Sequence, residues 1–268
     1  MTRSDNPRDR RSLRADFRSS SYFVVRYSLE FVVVVLGITV SYWLNEWSIG
    51  QQELGHQVKD AQDLLLDLES DSGRLAVVFN TVVIGKNRTS RLLQNHEHFQ
   101  EGGCTYAEFA DSLIAIGYPY GNLTFFMNDG TYKTLLNNGR LQNFPSEVED
   151  AIKKYYEYVG KRVEDNNTIL DKVCLDYYMM DHPLYLLNGE NTRRGLIPDS
   201  LWESRAQTFL HKPDVPALYE STKFYLRTLG VRNEIYRHEL LLEEYTSIRD
   251  EVDSTLRAFL ATHHDLHH

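Results

Sequence analysis

The stretch Glu30 to Trp47, EFVVVVLGITVSYWLNEW, holds no charged residue between Phe31 and Asn45. Nothing else in the chain limits the available folds as strongly. The uncharged run from Phe31 to Leu44 is by itself short enough for a core helix or the apolar part of a cleaved signal. Its flanks favour a membrane span. Counted from Tyr27 to Trp47, the segment makes about 31 Å of helix at 1.5 Å per residue, the thickness of a hydrocarbon core. Tyr22, Phe23 and Tyr27 lie at one end and Tyr42, Trp43 and Trp47 at the other, the distribution of two interfacial aromatic belts. At the basic end Glu30 would need to reach the interface, and Arg26 stands four residues before it on the same helical face. The nearest small-residue pattern of the kind a signal peptidase reads, Thr39–Ser41, is followed at once by YWLNEW, so cleavage is disfavoured.

Charge supplies an orientation. The first thirty residues carry seven arginines against Asp5, Asp9, Asp16 and Glu30, whereas the whole chain of 268 residues has a formal net charge of −9. A basic leader before an acidic body argues against nucleic acid as a partner, because phosphate neutralisation needs clustered cations on the folded domain. Arginines on the amino-terminal side, with only Lys59 between Ser48 and Asp67, place the amino terminus in the cytoplasm and the body outside. For a bacterium that means the inner membrane with a periplasmic body. The expected organisation is a basic disordered arm over 1–21, a transmembrane helix over 22–47, a helical bundle over 48–262 and a His-rich tail over 263–268.

Apolar periodicity makes the body all-α. Leu54, Val58, Ala61, Leu65, Leu68, Ser72, Leu75, Phe79 and Val82 keep steps of four and three, one face of a long helix, with Gly73 a candidate kink. A second helix is expected from about Thr105 to GYPYGN, and a short one closed by Gly139. Ser146 and Glu149 have the spacing of a capping box, opening a helix with the stripe Ile152, Tyr156, Val159, Val163, Asn166, Leu170, Cys174 and Tyr177. A loop is expected over 181–200. Two helical stretches follow, LWESRAQTFL and VPALYESTKFYLRTL. The last helix carries Val231, Ile235, His238, Leu242, Tyr245, Ile248, Val252, Leu256 and Phe259 on one face. No stretch alternates as a strand would, so the fold class is an all-α bundle continued from one membrane helix.

Two stretches carry a family resemblance: YSLEFVVVVLGITVSYWLNEW, with its Glu ahead of an aliphatic run, one Gly and an Asn-Glu exit, and TYKTLLNNGRLQNFPSEVEDAIKKYYEYV, a short helix, Asn-Gly, Leu and a helix containing Tyr-Tyr. Together they resemble a family of uncharacterised bacterial single-pass membrane proteins known only as a domain of unknown function. The resemblance implies a membrane-anchored helical protein and supplies no catalytic residue. Tyr42 and Trp43 depart from the aliphatic or Gln residues more common there.

Named catalytic signatures are missing: no G-x-G-x-x-G, no Walker loop, no G-x-S-x-G and no H-E-x-x-H. His96-Glu97 is followed by Gln100 where a second His would be needed, so a solvated helix end is the plainer reading. Glu53 and His56 have di-iron spacing without the second copy such a site requires. His238 lies on an apolar stripe, where a core histidine bonded to a partner such as Asn166 is expected. The terminal HHDLHH reads as an adventitious chelator. No catalytic, cofactor or metal residue is therefore assigned. Cys104 and Cys174, the only cysteines, are a candidate disulfide in an oxidising compartment, with Cys174 equally explained as a small buried apolar group. Tyr118, Tyr120, Phe125, Phe126 and Tyr132 would line a ligand pocket or fill the core.

The functional expectation rests on the membrane helix. Glu30, Val34, Gly37, Ser41 and Leu44 fall on one heptad stripe, and Gly37-x-x-x-Ser41 is a small-xxx-small pair that lets backbones approach. Besides the lipid bilayer, the expected partner is a second copy or another membrane protein's span, and the expected role is sensing or scaffolding without catalysis. The rival class is a membrane-anchored metal-dependent hydrolase built from histidines and carboxylates of the bundle.

Overall fold

The computed structural model of the chain describes residues 9–120, 123–188 and 199–263. Among them no strand occurs; the elements are α1 (Asp9–Gln100), α2 (Tyr106–Ile116), α3 (Gly130–Asn137), α4 (Ser146–Lys153), a π-helical turn (Lys154–Val159), α5 (Gly160–Met180), α6 (Asp199–Leu210), α7 (Pro216–Tyr219) and α8 (Thr222–His263), with short 3-10 helices at Leu141–Asn143 and, inside the expected loop, Pro183–Asn188. The chain divides into two units, Met1–Gln57 and Val58–His268, and α1 supplies residues to both.

In the first unit α1 is a lone helix. It begins at Asp9, inside the stretch expected to be a disordered arm. From Val25 to Ile49 every large apolar side chain is exposed, between 43% and 69%.

The second unit is a bundle whose long members are α1 from Val58 onward, α4–α5 and α8. α8 runs antiparallel to α1, since Lys86 pairs with Glu239 and the Arg249 guanidinium reaches the Leu68 carbonyl. It also runs antiparallel to α5, where Asn166 meets His238 and Tyr177 meets Thr228. The stripes expected on α4–α5 and α8 are the buried ones. On α1 the buried stripe is Ala61, Leu64, Leu68, Asp71, Leu75, Val78, Val82, Gly85, Thr89, Leu92 and His96, an unbroken alternation of three and four. The sequence reading has every seventh of these residues right and the intervening ones displaced by one. Leu65, Ser72 and Phe79 are half-buried at the edge of that face.

Local signals set the helix ends. Thr105 accepts the Glu108 N–H while Glu108 takes the Thr105 N–H at 2.8 Å, so the capping box stands at α2. Ser146, by contrast, is not an N-cap: Pro145 holds that position, Ser146 is the first helical residue, and Glu149 pairs with Lys153 at 2.7 Å. Gly139, at φ 66°, closes α3, with Arg140 N–H to Leu135 O at 3.0 Å and Gly139 N–H to Leu136 O at 3.2 Å. The break before the last helix lies at Ser221, not near Gly230, because the Ser221 hydroxyl accepts the Phe224 N–H at 3.1 Å. The π-helical turn inserts an extra residue per turn, and two consecutive side chains, Tyr155 and Tyr156, therefore both enter the core. Residues 189–198 of the expected long loop and 264–268 of the His-rich tail lie outside the described residues.

Candidate functional site

The membrane-helix face expected to associate is on the surface of α1. Glu30, Val34, Gly37, Ser41 and Leu44 are all exposed, and a Cβ added at Gly37 would meet nothing within 4 Å. Arg26 Nε lies 3.0 Å from Glu30 Oε1, so the acid next to the apolar run already has its cation one turn away. The Thr39 hydroxyl donates to the Val35 carbonyl at 2.8 Å, which leaves it no free donor on the apolar surface.

A second constellation, which sequence reasoning missed, is built around Asp71. This carboxylate is fully buried. Its Oδ1 accepts the Asn128 backbone N–H at 2.9 Å and its Oδ2 the Tyr155 hydroxyl at 2.9 Å. One turn earlier, Asp67 takes the Asn128 side-chain amide at 2.6 Å and the Thr131 N–H at 3.2 Å. Asp129, the residue before α3, makes no cap bond of its own. Two carboxylates of α1 thus do what an N-cap would, holding the turn into α3 by its free N–H groups. Around them Tyr132 stacks on Tyr156 at 4.8 Å between centroids and donates its hydroxyl to Glu157 at 2.7 Å.

Burial dominates the electrostatics. Desolvation raises Asp71 to about 6, against the lowering effect of its two donors and of nearby Arg74. The same cause pushes the Tyr155 hydroxyl well above its ordinary value. Burial therefore favours the protonated form of Asp71 within its hydrogen bonds to Asn128 and Tyr155. The sequence signal was available: counting threes and fours from Ala61 lands on Asp71.

The remaining candidates resolve as follows. Asn166 Nδ2 lies 2.6 Å from His238 Nδ1 in the core, the partnership expected, and burial lowers His238 to about 4. His96 is no solvated helix end; it is buried against Phe109, Phe224 and Tyr225, because it occupies the last position of the α1 stripe. Glu53 and His56 are exposed. Among the described residues no three His, Cys, Asp or Glu side chains are placed to hold a metal.

Cys104 and Cys174 are not bridged in this structure; Cys174 sits in the α5 core stripe, and burial pushes it up to about 12. Of the aromatic group, Tyr120, Phe125 and Tyr132 fill the core and Phe126 is exposed. A clasp secures Tyr120, whose carbonyl accepts the Tyr178 hydroxyl at 2.6 Å and whose N–H donates back to it at 3.1 Å. Gly85 lies under this ring, and a Cβ there would overlap it.

Comparison of the chain with protein-family models, with curated proteins and with solved structures gives no match.

Proposed function

We propose that this chain is a single-pass membrane protein whose helical body works by helix–helix contact, as a sensing or scaffolding module and not as an enzyme. The observation that carries the reading is the run from Val25 to Ile49, where every large apolar side chain is exposed and none of the most apolar window is buried. In water such a surface far exceeds what soluble monomers expose; in a bilayer it is at home. The arginines on its amino-terminal side favour a cytoplasmic amino terminus, and in a bacterial cell the body would then face the periplasm. The family resemblance points the same way.

Contact within the membrane would use the stripe from Glu30 to Leu44, where Gly37 and Ser41 permit close approach to a second helix. The test is alkaline carbonate extraction of membranes from cells expressing the full chain. Retention in the pellet is expected; release into the supernatant would overturn the reading. Where the protein is retained, Gly37→Ile is expected to weaken self-association at least fivefold in a reporter of membrane-helix pairing. An unchanged signal would remove this stripe from the proposal.

A further inference from the structure

The stretch from Leu123 to Asp129 has no helical structure, and among the described residues no backbone–backbone hydrogen bond anchors 123–128. Side chains of other elements hold it. Asn167 of α5 donates to the Phe125 carbonyl at 2.7 Å, and Arg74 of α1 to the Phe126 carbonyl at 3.2 Å. The Asn128 N–H goes to Asp71, and the Asn128 side-chain amide and the Thr131 N–H go to Asp67.

Among these anchors Asp71 stands apart, because it is the fully buried one. Arg74, the cation whose charge acts on it, is engaged with the Phe126 carbonyl, so the carboxylate is held by an N–H and a tyrosine hydroxyl instead. Each element packed there contributes charged or titratable groups: Asp67 and Arg74 from α1, Asp129 from the turn, and Tyr155 and Tyr156 from the π-helical turn. From α8 comes Arg249, whose charge acts on Tyr155. Burial and the like charge of Asp67 favour the neutral acid, whereas the two donors and Arg74 favour the carboxylate. Burial prevails, and the group stands at about 6 instead of 3.8. An acid harder to ionise inside the fold than in water favours, once ionised, any state that lets water reach it. The turn is the least disruptive way in. Tyr155 is fully buried, while Met127, Asn128 and Asp129 are half-buried and Phe126 is exposed.

We propose that Asp71 is a proton-operated latch on the turn from Phe125 to Thr131, closed while the acid is neutral and released toward water as it ionises. The proton passes to solvent, and the carboxylate exchanges its bonds to Asn128 and Tyr155 for water. The stability of the closed turn is fully present below about pH 4 and is lost as pH rises through 6. Release moves Phe126, the most exposed aromatic side chain described in the second unit, so loss of one proton alters the surface the body offers. The second unit carries this inference by itself, whether or not α1 crosses a membrane.

Hydrogen exchange of the full chain in detergent micelles tests it, read by mass spectrometry on peptides covering 123–131 and, as control, 245–256 of α8. After correction for the intrinsic pH dependence of exchange, protection of 123–131 is expected to fall about tenfold between pH 5 and 7 and to stay below that of the α8 peptide. Asp71→Asn should abolish the fall. Tyr155→Phe, which removes a donor to the ionised form, should extend it to higher pH. Protection that ignores pH in the unsubstituted chain, or a fall that persists in Asp71→Asn, would overturn the latch. So would one common protection for the turn and α8, since exchange would then need the whole body to unfold.

Discussion

The two parts of α1 solve the problem of apolar surface in opposite ways. From Phe31 to Leu44 the helix carries no charge, and its large apolar side chains are exposed on all sides, uncovered by any described residue. From Ala61 to His96 the fully buried residues keep to a heptad face packed in the bundle core, while Leu66, Val77 and Ile84 remain exposed on other faces. The first pattern needs a solvent other than water, whereas the second makes its own from neighbouring helices. Polar groups follow the same division. Glu30 stands at the edge of the apolar run beside Arg26, while Asp71 stands in the middle of the core and is held by a tyrosine and a backbone N–H.

The largest effect should come from charge placed in the first part. Val35→Arg with Ile38→Arg costs about 5–7 kcal/mol of insertion free energy on translocon scales. Carbonate extraction should find the doubly substituted chain in the supernatant, and Leu175→Arg on the exposed face of α5 still in the pellet. Equal behaviour would erase the distinction between the two surfaces.

Next comes Asp71. Its folded value of about 6 lies above the ordinary 3.8, so the folded chain binds this proton first. The stability gained is fully present below pH 4 and is lost as pH rises through 6, an effect of roughly 2–3 kcal/mol. Asp71→Asn, neutral at every pH, should raise the urea midpoint at pH 7 and flatten this dependence. His238 works with the opposite sign. Held down to about 4, it contributes stability present above pH 6.5 that disappears as pH falls through 4. Asp71→Asn should therefore leave a protein that only loses stability on acidification; a midpoint that still rises between pH 7 and 5 would contradict the assignment.

Two glycines of the same helix sharpen the contrast. Gly85→Ala drives a methyl group into the Tyr120 ring, whereas Gly37→Ala meets nothing within 4 Å. The first should lower stability by about 1–3 kcal/mol, measured by denaturation in detergent, and the second should leave it unchanged. The smallest effect belongs to Lys86 and Glu239, 2.6 Å apart at a partly exposed edge. Glu239→Gln should cost no more than about 1 kcal/mol, less in high salt.

Most of this architecture is legible before any coordinates, and the reasons are physical. The α8 stripe can be read residue by residue because its members are apolar and its one histidine keeps the phase. The α4–α5 stripe survives the π-helical turn because two neighbouring tyrosines are both tolerated inside. On α1 the reading slips, since the residue at 71 is an aspartate and Ser72, beside it, is the less costly residue to bury. A carboxylate looks like solvent until the donors that stabilise it are known, and these lie far along the chain, at Asn128 and Tyr155. The same blindness hides His96. The false capping box at Ser146 fails for a local reason, because the proline before it already occupies the N-cap position.

The central claim is that the segment from Val25 to Ile49 crosses a membrane once, with the arginines on the cytoplasmic side. The most direct measurement fuses two reporters, one active only outside the cytoplasm and one fluorescent only within it, after Leu54 and after His268. Activity of the external reporter at both points, with no cytoplasmic fluorescence, is the predicted result. Cytoplasmic fluorescence at both points would contradict the crossing and its orientation together.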